Sequence, residues 1–182
     1  SKKQRIRYQK GAHYDETTWK VQDTEQGNYA WVMTGVETEE TIFACGKSRG
    51  KGVAEALRGH NTSQPAITDD YGAYRNFSDH HQLCWAHPIR KLRHLSRSDV
   101  LSDSTRSHCH DMHIQFVSLY QDVRDTTESS FVSKKREKKK HSLMRRFHTI
   151  TQPHPCDPMQ LTKIKERLRK NKRKYFTCIT TR

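Results

Sequence analysis

Residues 13–21, with the sequence HYDETTWKV, are the stretch that decides the fold. Their apolar, aromatic and β-branched side chains predict a β-strand with Asp15 near its centre. Two similar stretches follow, residues 28–35 (NYAWVMTG) and residues 41–45 (TIFAC), and each predicts another strand. Residues 26–28, Gln-Gly-Asn, suit a hairpin turn. The sequence therefore predicts three neighbouring antiparallel strands.

Beyond these strands, helical and extended patterns alternate along the chain. The predicted elements are a helix over 53–57, a strand over 65–68 that ends at Asp69, a helix over 71–77, a strand over 82–85 and a helix through Ile89, Leu92 and Leu95. The order is βββ-α-β-α-β-α. Three antiparallel strands followed by βα crossovers predict an α/β protein with a ribonuclease-H-like mixed sheet flanked by helices.

The net charge of +14 is distributed unevenly along the 182 residues. Up to Leu95 the chain has 14 basic and 11 acidic residues, and beyond it 20 basic and 9 acidic. The sequence thus predicts a basic lead-in over 1–11, the ribonuclease-H-like core over 12–95 and a basic helical insertion or appendage over 96–182. Residues 126–142 are so polar and basic that disorder is left open. Such runs bind nucleic acid, but solvated helix faces carry them too.

Composition excludes a membrane-spanning protein, because no apolar run approaches the roughly 20 residues that a membrane helix needs. No apolar stretch follows the basic N-terminus, so no signal peptide is expected. The five cysteines are odd in number and irregularly spaced, which favours reduced thiols over a disulfide framework. We therefore expect a cytoplasmic, nucleoid-associated protein without membrane contact.

Two acidic residues lie where strands of the predicted sheet would meet. Asp15 is on the first strand and Asp69 ends the fourth, and these strands are neighbours in a ribonuclease-H-like sheet. Carboxylates held close together repel each other unless a divalent cation lies between them. Mg²⁺ accepts such carboxylates together with phosphate oxygens and can promote displacement at phosphorus. Acidic residues also cap strands and turns in many proteins, so spacing alone leaves a structural role open.

Five motifs in register resemble the catalytic domain of DDE transposases of the insertion-sequence-66 family. They are Asp15-Glu16-Thr17-x-Trp19, Trp31-Val32, Ser48-Arg49-Gly50, Asp69-x-Tyr71-x-x-Tyr74 and Cys84-Trp85-Ala86-His87-x-x-Arg90-Lys91. The resemblance covers about residues 12 to 95. It implies that Asp15 and Asp69 are catalytic acids that hold Mg²⁺ or Mn²⁺ in a two-metal site. Such proteins often carry glycine at the position of Asp70, so Asp69 is the expected second acid.

The resemblance also implies DNA transposition by phosphodiester hydrolysis and strand transfer, with DNA as partner and no small-molecule substrate. A homo-oligomer on DNA is compatible with it. The family's third acid, a Glu in a stretch resembling Asn-Asn-x-Ala-Glu-Arg, has no counterpart in this sequence. Glu166 is a weak substitute, and we expect impaired activity. The alternatives are a non-catalytic DNA-binding or assembly module derived from a transposase, and a structural or RNA-binding basic protein.

Other residues are candidates for supporting roles. Glu16, His87 and Cys84 are expected to support the active site. Cys84 with His87, and Cys109 with His113, have the spacing of zinc ligands, but structural zinc is not favoured because Cys84 lies in an apolar stretch. The basic residues expected to contact DNA are Arg49, Lys51, Arg90, Lys91, Lys134, Lys135, Arg136, Lys138, Arg167 and Lys170.

Overall fold

The first part of the chain folds around a five-stranded mixed sheet. The computed structural model describes residues 1–20 and 28–181. The chain divides into two compact units, Ser1–Leu83 and Cys84–Arg182. The strands of the first unit are β1 (Ala12–Trp19), β2 (Asn28–Gly35), β3 (Thr41–Gly46), β4 (Ala66–Thr68) and β5 (His81–Leu83). Their order across the sheet is β3-β2-β1-β4-β5.

The sheet combines antiparallel and parallel pairing. β1 pairs with β2, and β2 with β3, in antiparallel register, whereas β4 pairs in parallel with β1 and β5. The prediction of an α/β protein with a mixed sheet is confirmed. Trp19 pairs with Asn28 at the end of β1. The predicted hairpin turn at Gln26 and Gly27, and the predicted strand end at Val21, lie outside the described residues.

Two helices, α1 (Lys2–Arg7) and α2 (Lys51–Arg58), belong to the first unit. The basic lead-in contains α1, which begins with a capping box between Ser1 and Gln4. Ile6 on this helix is fully buried in the core of the unit. Arg7 donates hydrogen bonds from Nη2 to the Ala56 carbonyl (2.7 Å) and from Nε to the Leu57 carbonyl (2.9 Å). These contacts attach α1 to the C-terminal turn of α2.

The predicted helix over 71–77 is wrong, because only a single 3₁₀ turn, Gly72–Tyr74, forms there. Asn76 has a φ of 53°, in the left-handed region, which cannot continue a right-handed helix. Tyr74 and Phe77 are fully buried, with their ring centroids 5.4 Å apart. A 3₁₀ turn and an α-helix both place residues three apart on one side, so the aromatic spacing alone did not distinguish them.

The second unit is helical. It contains α3 (Ala86–Leu95), α4 (Asp103–Glu128), α5 (Ser133–Ile150), α6 (Met159–Lys170) and a 3₁₀ helix, Lys172–Ile179. Helix α3, which the sequence analysis placed with the sheet, belongs to this unit by its contacts. Residues 126–142, where disorder was left open, comprise the end of α4, a short connection and the start of α5. Within the described residues, no helix is long and apolar enough to cross a membrane.

An aromatic cluster around Trp85 forms the core of the helical unit. The rings that surround this indole, at centroid distances of 5.1 to 6.0 Å, are Phe116, Tyr120, Phe147, Tyr175 and Phe176. The indole Nε1–H donates to the Tyr175 carbonyl at 2.9 Å, so its polar atom is satisfied while the ring is buried. Trp85 thus joins residues from α4, α5 and the last 3₁₀ helix.

A buried ion pair joins α6 to the segment that precedes it. Lys165 Nζ lies 2.7 and 2.8 Å from the two carboxylate oxygens of Asp157, and the two side chains are only 5% and 3% exposed. His108 Nε2 contacts the same carboxylate at 2.8 Å, and the backbone N–H of His154 donates to it at 2.8 Å. Burial alone would raise the pKa of Asp157, but the hydrogen bonds from Lys165 and His108 outweigh it and hold the pKa below its ordinary value.

Replacing Asp157 by asparagine is expected to destabilise the helical unit by about 3–5 kcal/mol, because the Lys165 ammonium would remain buried without its counter-charge. Urea unfolding followed by far-ultraviolet circular dichroism measures this loss. The matched control is Asp103→Asn, since the Asp103 side chain is 93% exposed in its surface pair with Arg106. Equal stability of the two variants would contradict a structural role for the buried pair.

Acid is expected to remove the same contribution from the wild type. Because the folded-state pKa of Asp157 is depressed, its stabilising effect is present above the unfolded pKa of about 3.9 and is lost as the pH falls through the folded pKa. The difference in unfolding free energy between wild type and Asp157→Asn should therefore shrink with acidification below about pH 4. A difference that stays constant across this range would rule out the proposed linkage.

Candidate active site

The parallel pairing of β1 with β4 brings Asp15 and Asp69 to equivalent positions on neighbouring strands. His13 is the register partner of Ile67, and each acid lies two residues further along its own strand. Adjacent strands are about 4.8 Å apart. Asp15 is on β1, opposite Val32 of β2, and Asp69 immediately follows the last residue of β4. The two acids expected from the sequence thus follow the paired residues at the same end of the β1–β4 pair.

Backbone N–H groups orient one carboxylate oxygen of each acid. Asp15 Oδ1 accepts a hydrogen bond from the N–H of Glu16 at 2.9 Å. Asp69 Oδ1 accepts one from the N–H of Tyr71 at 2.9 Å, which closes a turn just after β4. Thr68 contacts His81 Nε2 at 2.8 Å on the neighbouring strand, and its hydroxyl also lies 2.6 Å from the Asp69 carbonyl. These local contacts restrict where the two carboxylates can point.

Glu16, next to Asp15, has a different environment. Its side chain is only 1% exposed. Oε1 accepts hydrogen bonds from Nη2 and Nε of Arg49 at 2.8 and 3.2 Å, and Oε2 accepts one from the Tyr74 hydroxyl at 2.6 Å. Both oxygens are therefore engaged within the protein. Glu16 thus holds Arg49 and Tyr74 in position, and its supporting role at the active site stays a prediction.

The pKa of Tyr74 is affected by three carboxylates. Burial, followed by the hydrogen bond to Glu16 and the charges of Glu16, Asp69 and Asp15, raises the pKa of Tyr74 well above its usual value. The phenol therefore remains protonated and acts as a hydrogen-bond donor at every physiological pH. The charges of three carboxylates thus act on the Tyr74 hydroxyl, and Glu16 is the one to which it donates a hydrogen bond.

Arg49 supplies the nearest described positive charge to Glu16. Its guanidinium lies 4.2 Å from the centroid of the Tyr71 ring, and the Tyr71 hydroxyl donates to the Arg49 carbonyl at 3.3 Å. The Arg49 side chain remains 44% exposed, so part of the guanidinium faces solvent. The neighbouring Ser48 carbonyl accepts from Trp31 Nε1 at 3.1 Å, which fixes the loop before α2. Lys51, also expected to contact DNA, is ion-paired with Glu55 at 3.0 Å.

Cys84 and His87, the other expected supporting residues, lie in the second unit at the start of α3. Burial would raise the pKa of the Cys84 thiol, but hydrogen bonds from the His87 side chain and the Ala86 backbone outweigh it and lower the pKa. Cys109, in the other proposed zinc pair, is fully buried, and burial raises the pKa of its thiol. Among residues 1–20 and 28–181, no three His, Cys, Asp or Glu side chains form a group suited to a metal ion.

Most residues expected to contact DNA have exposed side chains in the helical unit. These are Arg90 and Lys91 on α3, Lys134, Lys135 and Lys138 on α5, and Arg167 and Lys170 on α6. Arg136 differs, because it is buried and donates hydrogen bonds to the carbonyls of Ser129, Phe131 and Ile179. Its guanidinium joins the connection before α5 to the C-terminal 3₁₀ helix, so the expectation that it contacts DNA is corrected to a structural role.

Sequence reasoning missed the partnerships at this site, although it noted the residues. The motif Asp69-x-Tyr71-x-x-Tyr74 indicates no role for Tyr74, and the sequence predicts that Arg49 contacts DNA rather than Glu16. The contact between Glu16 and Arg49 joins residues 33 positions apart. The only signal for a buried partner of one acid was the position of Glu16 beside Asp15. Successive residues of a strand face opposite sides of the sheet, so one of the two acids had to face the core.

The fold and the site define an α/β protein with paired acids at the end of two parallel strands of a mixed sheet. A family model described as "Transposase IS66 family" matches residues 2–182. The chain therefore belongs to the IS66 family of transposases. No curated protein and no solved structure matches it significantly.

Replacing Tyr74 by phenylalanine is expected to destabilise the first unit by about 1–3 kcal/mol, because an oxygen of the buried Glu16 carboxylate loses its donor. Chemical denaturation followed by tryptophan fluorescence tests this expectation. Tyr71→Phe is the matched control: it removes the same group from an exposed contact at 3.3 Å and should cost less. A larger loss in Tyr71→Phe than in Tyr74→Phe would contradict the role assigned to Glu16.

Proposed function

We propose that the first unit is the catalytic domain of a DDE transposase with a ribonuclease-H-like fold, and that Asp15 and Asp69 hold its divalent metal. The observation that supports the proposal is the parallel register of β1 with β4, because each acid follows a paired residue, His13 or Ile67, by two positions. The strand order β3-β2-β1-β4-β5, with three antiparallel strands followed by parallel ones, supports the fold assignment. Membership of a transposase family implies DNA as the partner.

The donor set fits the metal that the family implies. Carboxylate oxygens are hard ligands, and Mg²⁺ and Mn²⁺ prefer them to thiols and imidazoles. Asp15 and Asp69 would supply these oxygens, while Glu16 is already engaged with Arg49 and Tyr74. When bound, the metal would stabilise negative charge on the oxygens at phosphorus and activate the attacking group. A site with two metal ions is the form that the family resemblance implies.

The reaction is phosphodiester hydrolysis followed by strand transfer. In the first step a water oxygen bonds to phosphorus at a transposon end, and the 3′ oxygen leaves as a hydroxyl. In the second step the oxygen of that hydroxyl bonds to the phosphorus of a target phosphodiester, and the target strand's own 3′ oxygen leaves as a hydroxyl. The chain's own residues position the reactants: backbone N–H groups orient the oxygens of Asp15 and Asp69. The partly exposed Arg49 guanidinium is available to a DNA phosphate while Glu16 and Tyr71 fix its position.

Exposed cations of the helical unit would hold the DNA backbone. The proposed residues are Arg90, Lys91, Lys134, Lys135, Lys138, Arg167 and Lys170. Contacts of this kind give affinity that depends on salt and little on base sequence. The second candidate function is a DNA-binding or assembly module without catalysis. It is favoured by the exposed cations of the helical unit, which would bind DNA without any chemistry at Asp15 and Asp69.

Binding of Mn²⁺ to the metal site is expected to depend on both acids and to be measurable even if cleavage is weak. Asp15→Asn and Asp69→Asn should each weaken Mn²⁺ binding, measured by isothermal titration calorimetry, by roughly tenfold or more. Asp70→Asn is the matched control, because it removes the same charge from the next residue. If Asp69→Asn and Asp70→Asn weakened Mn²⁺ binding equally, the loss would be explained by the change in net charge, and a specific metal site would be contradicted.

The same variants separate the two candidate functions. An active enzyme should nick supercoiled DNA in the presence of Mn²⁺, and Asp69→Asn should abolish nicking while Asp70→Asn retains it. We expect weak activity in the wild type. Binding of DNA and Mn²⁺ with no nicking by any protein would instead support the non-catalytic module.

A further inference from the structure

A basic groove runs along the helical unit between α5 and the 3₁₀ helix Lys172–Ile179. Its volume is about 720 Å³. The lining residues are Glu137, Lys140, His141, Met144, Arg145, His148, Thr149, Lys172 and Arg173. The two elements are in direct contact, so the groove is formed within one compact unit. None of its cations was among the residues that the sequence analysis expected to contact DNA.

The groove concentrates positive charge. Lys140, Arg145, Lys172 and Arg173 contribute four permanent cations, whereas Glu137 is the one carboxylate among the lining residues. Glu137 lies 3.7 Å from His141 on the same helix. In the part of the chain that the structure describes, no carboxylate lies within ion-pair distance of Arg145, Lys172 or Arg173.

These cations therefore remain available to an external anion. Lys140 is tied to the C-terminal segment, because its Nζ donates to Thr180 Oγ1 at 3.1 Å. Arg145 and Arg173 are exposed, and Lys172 is half-buried. The three lie on two different elements, so they form a basic track across the groove rather than the solvated face of a single helix. Self-repulsion among such cations costs free energy, which a bound polyanion would relieve.

We propose that this groove binds the phosphate backbone of duplex DNA. The inference rests on the proposed function, which makes DNA the partner, and it adds a surface that binds the DNA. Charge complementarity supports a phosphate ligand. The lining contains no Phe, Tyr or Trp, and its only ring side chains are those of His141 and His148, whereas its cations number four, so backbone contact with a duplex is favoured over stacking of unpaired bases.

The test is DNA binding by the full chain in EDTA across a salt series, measured by fluorescence anisotropy with a labelled duplex. The variant carries Arg145→Gln, Lys172→Gln and Arg173→Gln. The logarithm of the affinity falls with the logarithm of the salt concentration, and each phosphate contact contributes roughly 0.9 to the steepness of that fall. The triple variant should therefore reduce the steepness by about 2 to 3. Its affinity at moderate salt should fall at least roughly tenfold, as expected when several phosphate contacts are lost.

The matched control carries Arg97→Gln, Arg124→Gln and Lys163→Gln, which remove two arginines and one lysine from exposed positions elsewhere in the unit. It should change the slope by less than about 1. Equal losses of DNA affinity in the two triple variants would show that net charge alone governs binding and would overturn the proposed role of the groove. A wild type that binds no DNA, or that prefers duplex RNA in competition, would overturn it as well.

A single charge reversal, Arg173→Glu, provides a second readout with less risk to folding, and circular dichroism checks each variant. Retention of wild-type affinity and slope by this variant and the groove triple would count against the proposal. Because EDTA removes the divalent ions, failure of the metal site would leave the binding result unchanged. Conversely, loss of Mn²⁺ binding in Asp69→Asn, together with wild-type DNA binding by the groove triple, would support the metal site and contradict the groove.

Discussion

The parallel pairing of β4 with β1 is the constraint on which the candidate site depends. It rests on the short register Ala12 to Ala66 and His13 to Ile67, extended by the Ala12 N–H, which donates to the Pro65 carbonyl at 3.0 Å. Gln64 reinforces the approach to β4 by donating to the carbonyls of Ile6 and Gln9. Because side chains alternate along a strand, a shift of one residue in this register would move Asp69 away from Asp15 and reverse the faces of β4.

The same alternation separates the roles of the two adjacent acids. Glu16 faces the interior, where a carboxylate without partners would be costly, and Arg49 and Tyr74 compensate it. The network then extends through Arg49 to Tyr71, whose N–H orients Asp69. The buried acid is thus connected to the acid proposed to hold metal. A change at Glu16 would therefore displace Arg49 and, through it, Tyr71.

The sequence predicted most of the strands from local patterns, and it predicted from their order that β4 lies beside β1, on which the position of the two acids depends. Apolar and β-branched alternation marks β1, β2 and β3, and the crossover order implies that β4 lies beside β1. The helix expected over 71–77 failed because its spacing of three suits a 3₁₀ turn equally well. The ion pair between Lys165 and Asp157 could not be predicted from the sequence, because Lys165 belongs to a basic run and only the fold shows that it is buried. A count of charges cannot distinguish buried cations such as Lys165 and Arg136 from solvated ones.

That distinction changes how the positive charge of the helical unit should be understood. Aromatic packing around Trp85 and the buried pair between Asp157 and Lys165 provide the cohesion of the unit, so a low overall hydrophobic content is compatible with an ordered fold. The cations left on the surface repel one another and oppose that cohesion. A polyanion that binds the folded unit would reduce this repulsion, and any ligand that binds only the folded state stabilises it. Affinity for DNA and the stability of the helical unit are therefore thermodynamically linked through the proposed groove.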